Sequence, residues 1–178
     1  MYLRYKGVDT NFGDVLLYGK PIIFKTPGST IKISKGSTLI SKTKYNIAGI
    51  NHPVIIATLS KEAIIEIGNV GISGATICAV KRIEIMDFSG LGANSKIFDT
   101  DFHNLDPIKR RMQKSIDEAI SGPVKICEDV WIGSDAVILK GVSIGRGTVV
   151  GARTVVTKSL PPMVVAVGNP AKIVKEIS

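Results

Sequence analysis

The chain is poor in the residues on which most protein chemistry is built. Its 178 residues include two histidines, two cysteines, one tryptophan and 6% aromatics in all. Cys78 and Cys127 are not spaced as a metal or redox pair, so they read as buried or turn thiols in a reducing compartment. No apolar run reaches the ~18 residues of a membrane-spanning helix. The opening MYLRYKGVDTNFG has no apolar core of the length a secretory signal needs, and the expected location is the cytoplasm. Amphipathic runs of helical length are scarce. Acidic residues are also short: 15 Asp and Glu stand against 23 Lys and Arg, a net charge of +8. The cations are scattered and accompany no DNA or RNA recognition motif, which argues against nucleic acid. An anionic or phosphorylated ligand suits them better.

What the chain does have is a period of six. From Ile126, every sixth residue is aliphatic: Ile126, Ile132, Ile138, Ile144, Val150 and Val156. Four residues after each come Val130, Ala136, Val142, Thr148, Thr154 and Leu160, all small or apolar. Gly133, Gly145 and Gly151 directly follow members of the first series. Ile, Leu and Val make up about three residues in ten, so six in register by chance is on the order of one in a thousand. No helical face gathers residues six apart. A six-residue unit fits a short strand and a tight turn, and three units close one triangular coil of a parallel β-helix. The aliphatic residue points inward and stacks on its equivalents, and the glycine beside it relieves crowding at the bend.

The same period reads back through Ile67, Ser73, Ala79, Ile85, Leu91 and Ile97, with the polar Ser73 and small Ala79 as imperfections. The register is lost after His103, because 126 − 103 = 23 is no multiple of six. Residues 102–123 therefore leave the coil as an excursion, and long excursions from regular scaffolds carry function more often than not. Within it Asp106 and Pro107 begin a short helix and Gly122 follows its end. Ile108, Met112, Ile116 and Ile120 make an apolar stripe expected to dock on the coil or on a neighbouring subunit. Residues 1–60 read as an N-terminal cap with an irregular first coil, hinted at by Ile33 and Leu39, and residues 61–178 as the repeat domain with a tail at 161–178.

His103, at the edge where coil gives way to excursion, is the side chain best suited to take a proton at neutral pH, or else a surface turn residue. His52, before a proline, reads as structural. Zinc enzymes on this architecture need three imidazoles, so no catalytic metal is expected. Asp99 and Asp101 at the loop start read as acceptors of backbone N–H groups. Trp131 precedes the inward Ile132 and so projects outward, towards a ligand, an adjacent subunit or the protein's own loop.

The segments DTDFH, DVWIGSDAVILKGVSIGRGTVVGARTVVTKSLPP and GNPAKIVKEI resemble the hexapeptide-repeat acyltransferases, and are most similar to sugar O-acetyltransferases of the maltose, galactoside and nodulation-factor type. The specific part spans residues 64–178, and GINHPVIIAT looks like a subgroup acting on bacterial surface polysaccharides. The resemblance implies an all-β, left-handed parallel β-helix, a homotrimer with sites between subunits, and acetyl-CoA as donor to a sugar acceptor. It places the general base on His103 and the acetyl and pantetheine channel against Trp131. Ser134 and Ala152 fall at backbone positions beside the CoA arm, and Thr157 and Lys158 near its adenine. Lys172 and Lys175 match tail positions that face the CoA phosphates. Ser73 lies loosely where relatives hold the acceptor. Cys127 departs from the usual glycine, which would strain one turn. N-acetylation of a nucleotide-linked amino sugar or of an antibiotic remains open, as does a non-catalytic β-helix scaffold.

Overall fold

The structure, a computed structural model, describes residues 2–10 and 14–178. Its described strands form three parallel sheets of eight, six and five strands, visited in turn as the chain winds, with one antiparallel strand at the end of the largest. The strands are two to five residues long because each must end at a corner of the triangle. Turn after turn, equivalent side chains stand in register. Ile33, Ile67, Ile85, Ile126 and Ile144 form one column. Leu39, Ile72, Leu91, Ile132, Val150 and Ala166 form the second. Ile23, Ile56, Ile77, Ile97, Ile138 and Val156 form the third. All are buried, and together they are the core. The second series of the hexad, Val130 through Leu160, is buried as well, at the corners.

Two expectations change. The coil at 64–79 turns inward at Ile72 rather than Ser73, and at Ile77 as well as the expected Ala79, which is fully buried. Ile67, Ile72 and Ile77 are five apart, so this coil has shortened corners and Ser73 stands at the surface, paired with Ile40. The second concerns residues 1–60: strands Leu16–Tyr18, Ile22–Lys25, Thr30–Ile33, Thr38–Ile40 and Ile55–Thr58 enter the same three sheets and stack in the same columns. The interruption lies instead between Leu39 and Ile56, where 56 − 39 = 17 residues separate neighbouring inward positions. Residues 41–54 form an excursion that the period did not reveal.

Glycine after an inward residue has a steric cause. A Cβ on Gly92, Gly133 or Gly151 would lie 2.8, 2.5 or 2.7 Å from the next coil or the tail strand, where real Cβ atoms do not go. None of these three has a positive φ. The left-handed conformation falls two residues on, at Asn94, Asp135 and Arg153, and at Asp129 on another corner. Asn and Asp are the non-glycine residues that tolerate it best. Cys127, which follows the inward Ile126, likewise lies outside the left-handed region. Its carbonyl accepts from Ser89 Oγ at 2.9 Å.

The register is testable by a pair of variants at adjacent positions. Ile72→Ala removes a fully buried side chain and should cost about 3 kcal/mol, whereas Ser73→Ala at the surface should stay within about 0.5 kcal/mol. Thermal melting of the two proteins reads the difference, and equal losses would contradict the five-residue step.

Candidate functional site

The excursion at 102–123 is tied at its base before it is free at its tip. Asp99 is buried, and its carboxylate accepts the N–H groups of Val80, Lys81 and Arg82 at 2.7, 2.7 and 2.8 Å. Burial raises its pKa above the usual carboxylate range, opposed by those three hydrogen bonds and by the Lys81 charge. Thr100 bridges Ser121, Asp101 N–H donates to the Ile120 carbonyl at 3.0 Å, and Gly122 N–H donates to the Asp99 carbonyl at 2.8 Å. The Asp101 carboxylate holds Lys140 of the next coil at 2.7 Å. Asp99 thus accepts backbone N–H groups as the sequence suggested, and Asp101 forms an ion pair instead. Cys78, beside Asp99, has its thiol pushed up to about 11, first by burial and then by that carboxylate.

His103 sits at the start of the free part and is exposed. Phe102 before it adopts φ 63° and stacks edge-on against Phe98, with ring centres 5.1 Å apart. The His103 N–H donates to the Asp101 carbonyl at 2.7 Å. Gln113 closes the arrangement. Its Nε2 donates to the Phe102 carbonyl at 3.0 Å and its Oε1 accepts the Asn104 N–H at 2.7 Å, so one side chain grips the residues on either side of His103. The helix that delivers Gln113 is Pro107–Met112, capped by Asp106 accepting from Ile108 and Lys109 N–H. It ends at Gln113 rather than at Gly122, and Ser115 and Glu118 cap a separate short turn at Ile116–Glu118. Ile108 and Met112 are 65% and 71% exposed, so the apolar stripe does not dock on its own coil. Seven residues beyond the end of that helix, Ala119 is buried.

A second feature lies on the outer face of the eight-stranded sheet. Trp131 is 54% exposed, in line with Gly90 and Gly71 on the preceding strands. Its ring covers Gly90 so closely that a Cβ there would be 2.6 Å from Cε3 and Cζ3. The two glycines make the floor of a groove of about 250 Å³ whose walls include Trp131, Ser134, Ser73 and, from the 41–54 excursion, Asn46 and Ala48. The structure thus brings Ser73, Trp131 and Ser134 together. His103 does not line this groove. His52 is half-buried and its Nδ1 bonds the Pro53 carbonyl at 2.8 Å, the structural role expected.

Ser134 and Ala152 occupy one corner, stacked in a column above Ala93: Asp135 N–H donates to the Ala93 carbonyl and Arg153 N–H to the Ser134 carbonyl, each at 2.8 Å. Among the described residues nothing accepts from the Ser134 or Ala152 N–H, so this column holds two backbone donors without an intramolecular partner. Thr157 and Lys158 are exposed at the next corner, beyond the Val155–Val156 strand. The tail returns as Val164–Val167 and Lys172–Glu176. A bulge in that antiparallel pair sets Lys172 opposite Val167 and Lys175 opposite Val165. Residues three apart in a regular strand face opposite ways, but these two share a face because Val165 and Val167 do. Trp131, Val149, Val165 and Lys175 follow one another across neighbouring strands on that face. Asn46, Ala48, Gly71, Gly90 and Gln113 went unnoticed in the sequence. The broken hexad between Leu39 and Ile56 was the one available signal. Among the described residues no three His, Cys, Asp or Glu side chains gather to hold a metal ion, and no helix is long and apolar enough to cross a membrane.

Residues 123–158 match the family model of the bacterial transferase hexapeptide with six repeats. The galactoside O-acetyltransferase of Escherichia coli (strain K12) is 44% identical over 72 residues, 40% of this chain and 35% of that protein. The chain spans about a third or less of the curated relatives it matches, 29% for acetyltransferases of Staphylococcus aureus. The crystal structure of a maltose O-acetyltransferase from Clostridium difficile 630 aligns with 99% of this chain and 73% of its own, at 27% identity and a TM-score of 0.59. A hexapeptide-repeat acetyltransferase from Vibrio cholerae O1 biovar eltor, solved with acetyl coenzyme A, covers 94% of this chain and 73% of its own, at 27% identity and a TM-score of 0.50. Residues 123–158 thus carry the bacterial transferase hexapeptide repeat, the same coil continues on both sides of it, and the whole chain is similar to these left-handed β-helix acetyltransferases.

Proposed function

We propose that the protein transfers an acetyl group from acetyl-CoA to a sugar hydroxyl, with His103 as general base, in the cytoplasm and in the assembly of a bacterial surface polysaccharide. The observation that carries this reading is the unpaired Ser134 and Ala152 N–H column beside an outward Trp131, continued by Lys175 and Lys172 on one face. A long, polar, anionic ligand with an apolar arm fits such a track. Amide donors serve its pantetheine carbonyls, an indole face its reacting end, and ammonium groups its phosphates. The named relatives supply the donor: the Vibrio cholerae protein was solved with acetyl coenzyme A.

The chemistry is a direct displacement. A sugar hydroxyl is too weakly acidic to attack a thioester unaided. His103 accepts its proton as the oxygen bonds to the carbonyl carbon, a contribution of roughly 10²–10⁴-fold. A backbone N–H such as that of Ser134 steadies the oxyanion. Collapse breaks the carbon–sulfur bond, and the proton on His103 passes to the departing thiolate. His103 must be aimed for this, and the grip of Gln113 on Phe102 and Asn104 supplies the aim. The excursion leaves from the far edge of the six-stranded face, away from the Ser134 corner, so His103 and the groove do not meet within one chain. The site is then completed by a second copy, and the assembly is a homotrimer with three shared sites.

Thermal unfolding with and without CoA tests the reading. A ligand at 100 times its dissociation constant adds about 2.7 kcal/mol, or roughly 5–10 °C for a chain of this size. No shift at millimolar CoA would move the protein to the class of non-catalytic scaffolds. His103→Ala should keep the CoA shift while acetyl transfer falls by about 10²–10⁴-fold; near-normal transfer would remove His103 as the base. Gly90→Ala should push the Trp131 ring off its floor and raise KM for acetyl-CoA at least several-fold, measured by thiol release, with the fold intact by circular dichroism.

A further inference from the structure

The excursion at 41–54 has no part in the repeat, yet it is held to the coil at several points. Asn51 N–H donates to Asn94 Oδ1 at 2.8 Å, two coils away. Val54 N–H donates to Ser41 Oγ at 3.1 Å, and Thr43 Oγ1 to the Ile50 carbonyl at 3.2 Å, closing the loop on itself. The coil beneath makes room for it. That coil takes five residues rather than six from Ile72 to Ile77, and turns at Gly74, where a Cβ would lie 2.8 Å from Ile50 Cβ and 2.9 Å from the His52 carbonyl. The shortened corner and the excursion are two halves of one device. Its consequence is local: the excursion crosses the corner and sets Asn46 and Ala48 along the groove that Trp131 flanks.

We infer that the 41–54 excursion selects the acceptor, by forming with Trp131 a subsite for a single sugar ring over the Gly71–Gly90 floor. The inference rests on the acetyl-transfer reading and adds to it the element that sets specificity. The groove has the chemistry of carbohydrate recognition. An indole offers an apolar face for the C–H side of a pyranose. Ser73, Thr38 and Asn46 offer hydroxyl and amide partners at the rim. Asn46 is oriented, since its Oδ1 accepts the Ala48 N–H at 2.9 Å, and no described residue accepts from its Nδ2. The volume of about 250 Å³ lies below the ~300–1,000 Å³ of sites for larger ligands, which suits one ring and not two. Ala48 is the residue whose smallness keeps the groove open, and a bulkier side chain there would fill it.

Trp131 is the only tryptophan, so its fluorescence reports on this groove alone. Glucose, galactose and N-acetylglucosamine are titrated singly against the full chain without CoA. At least one is expected to change the emission saturably, in the millimolar range. Ala48→Phe should weaken that binding at least tenfold and Asn46→Ala about tenfold, each with the melting temperature of the parent protein. A titration that survives Ala48→Phe unchanged, or the absence of any saturable change with all three sugars, overturns the inference. The acetyl-transfer reading fails separately, through loss of the CoA shift in the parent protein, and the two failures are told apart in the same set of proteins.

Discussion

Everything in this molecule follows from how closely one coil must lie on the next. Parallel strands hydrogen-bond at about 4.8 Å, and at the corners the backbones approach nearer than a side chain permits. At Gly133 a single Cβ would reach the Ala152 nitrogen of the coil beyond. The same closeness stacks Ile85, Ile126 and Ile144 on one another and joins the three columns into one continuous core rather than a set of local clusters. Among the described residues, the N–H of the corner residue between glycine and the left-handed position has no intramolecular acceptor. Ser134 and Ala152 have that position. The donor track is thus a by-product of the stacking itself.

The three outer faces are free to differ because the core does not depend on them. The five-stranded face carries an ion-pair ladder in which Lys32 and Arg82 share Glu66 and Arg82 also holds Glu84. Such exposed pairs contribute little stability, but they keep that face in water. The six-stranded face is apolar at its first strand, where Ile22 and Phe24 remain exposed. On the eight-stranded face the outward row thins to Gly71 and Gly90, the two places where a cavity could open beside Trp131. Distinct surfaces on one repeating scaffold come from single outward residues, at a cost the core scarcely registers.

The period of six makes most of this legible in the sequence. Every inward residue from Ile126 to Val156 stands where the spacing put it, because regular coils leave the sequence no freedom at those positions. The reading failed where the geometry departs from six. A period of six points Ser73 inward, but its coil steps by five, and Ile72 and Ile77 give no periodic sign of that. The 41–54 excursion escaped because its ends are joined by Asn51 to Asn94 and by Ile50 over Gly74, contacts between residues far apart in sequence. The helix at 107–112 was placed correctly at its start, where Asp106 and Pro107 are local signals. It was placed wrongly at its end, because the Phe102–Gln113–Asn104 bonds stop it early.

The two excursions share a logic. Each leaves at a corner, where the chain already breaks its hydrogen-bond ladder, so an insertion there costs the sheets nothing. Each is then fastened by buried or half-buried groups of the coils beside it: Asn94 for the first, Asp99 and Lys140 for the second. Loop closure grows costlier only slowly with length, and these anchors offset it at the base while leaving the tips accessible. Removing the anchor is therefore more damaging than altering the tip. Asp99→Ala would strand the buried Val80 N–H, worth about 1–3 kcal/mol when unsatisfied, together with the part-buried N–H groups of Lys81 and Arg82, and release the segment that carries His103, whereas the neutral amide of Asp99→Asn keeps one acceptor oxygen and part of the hold.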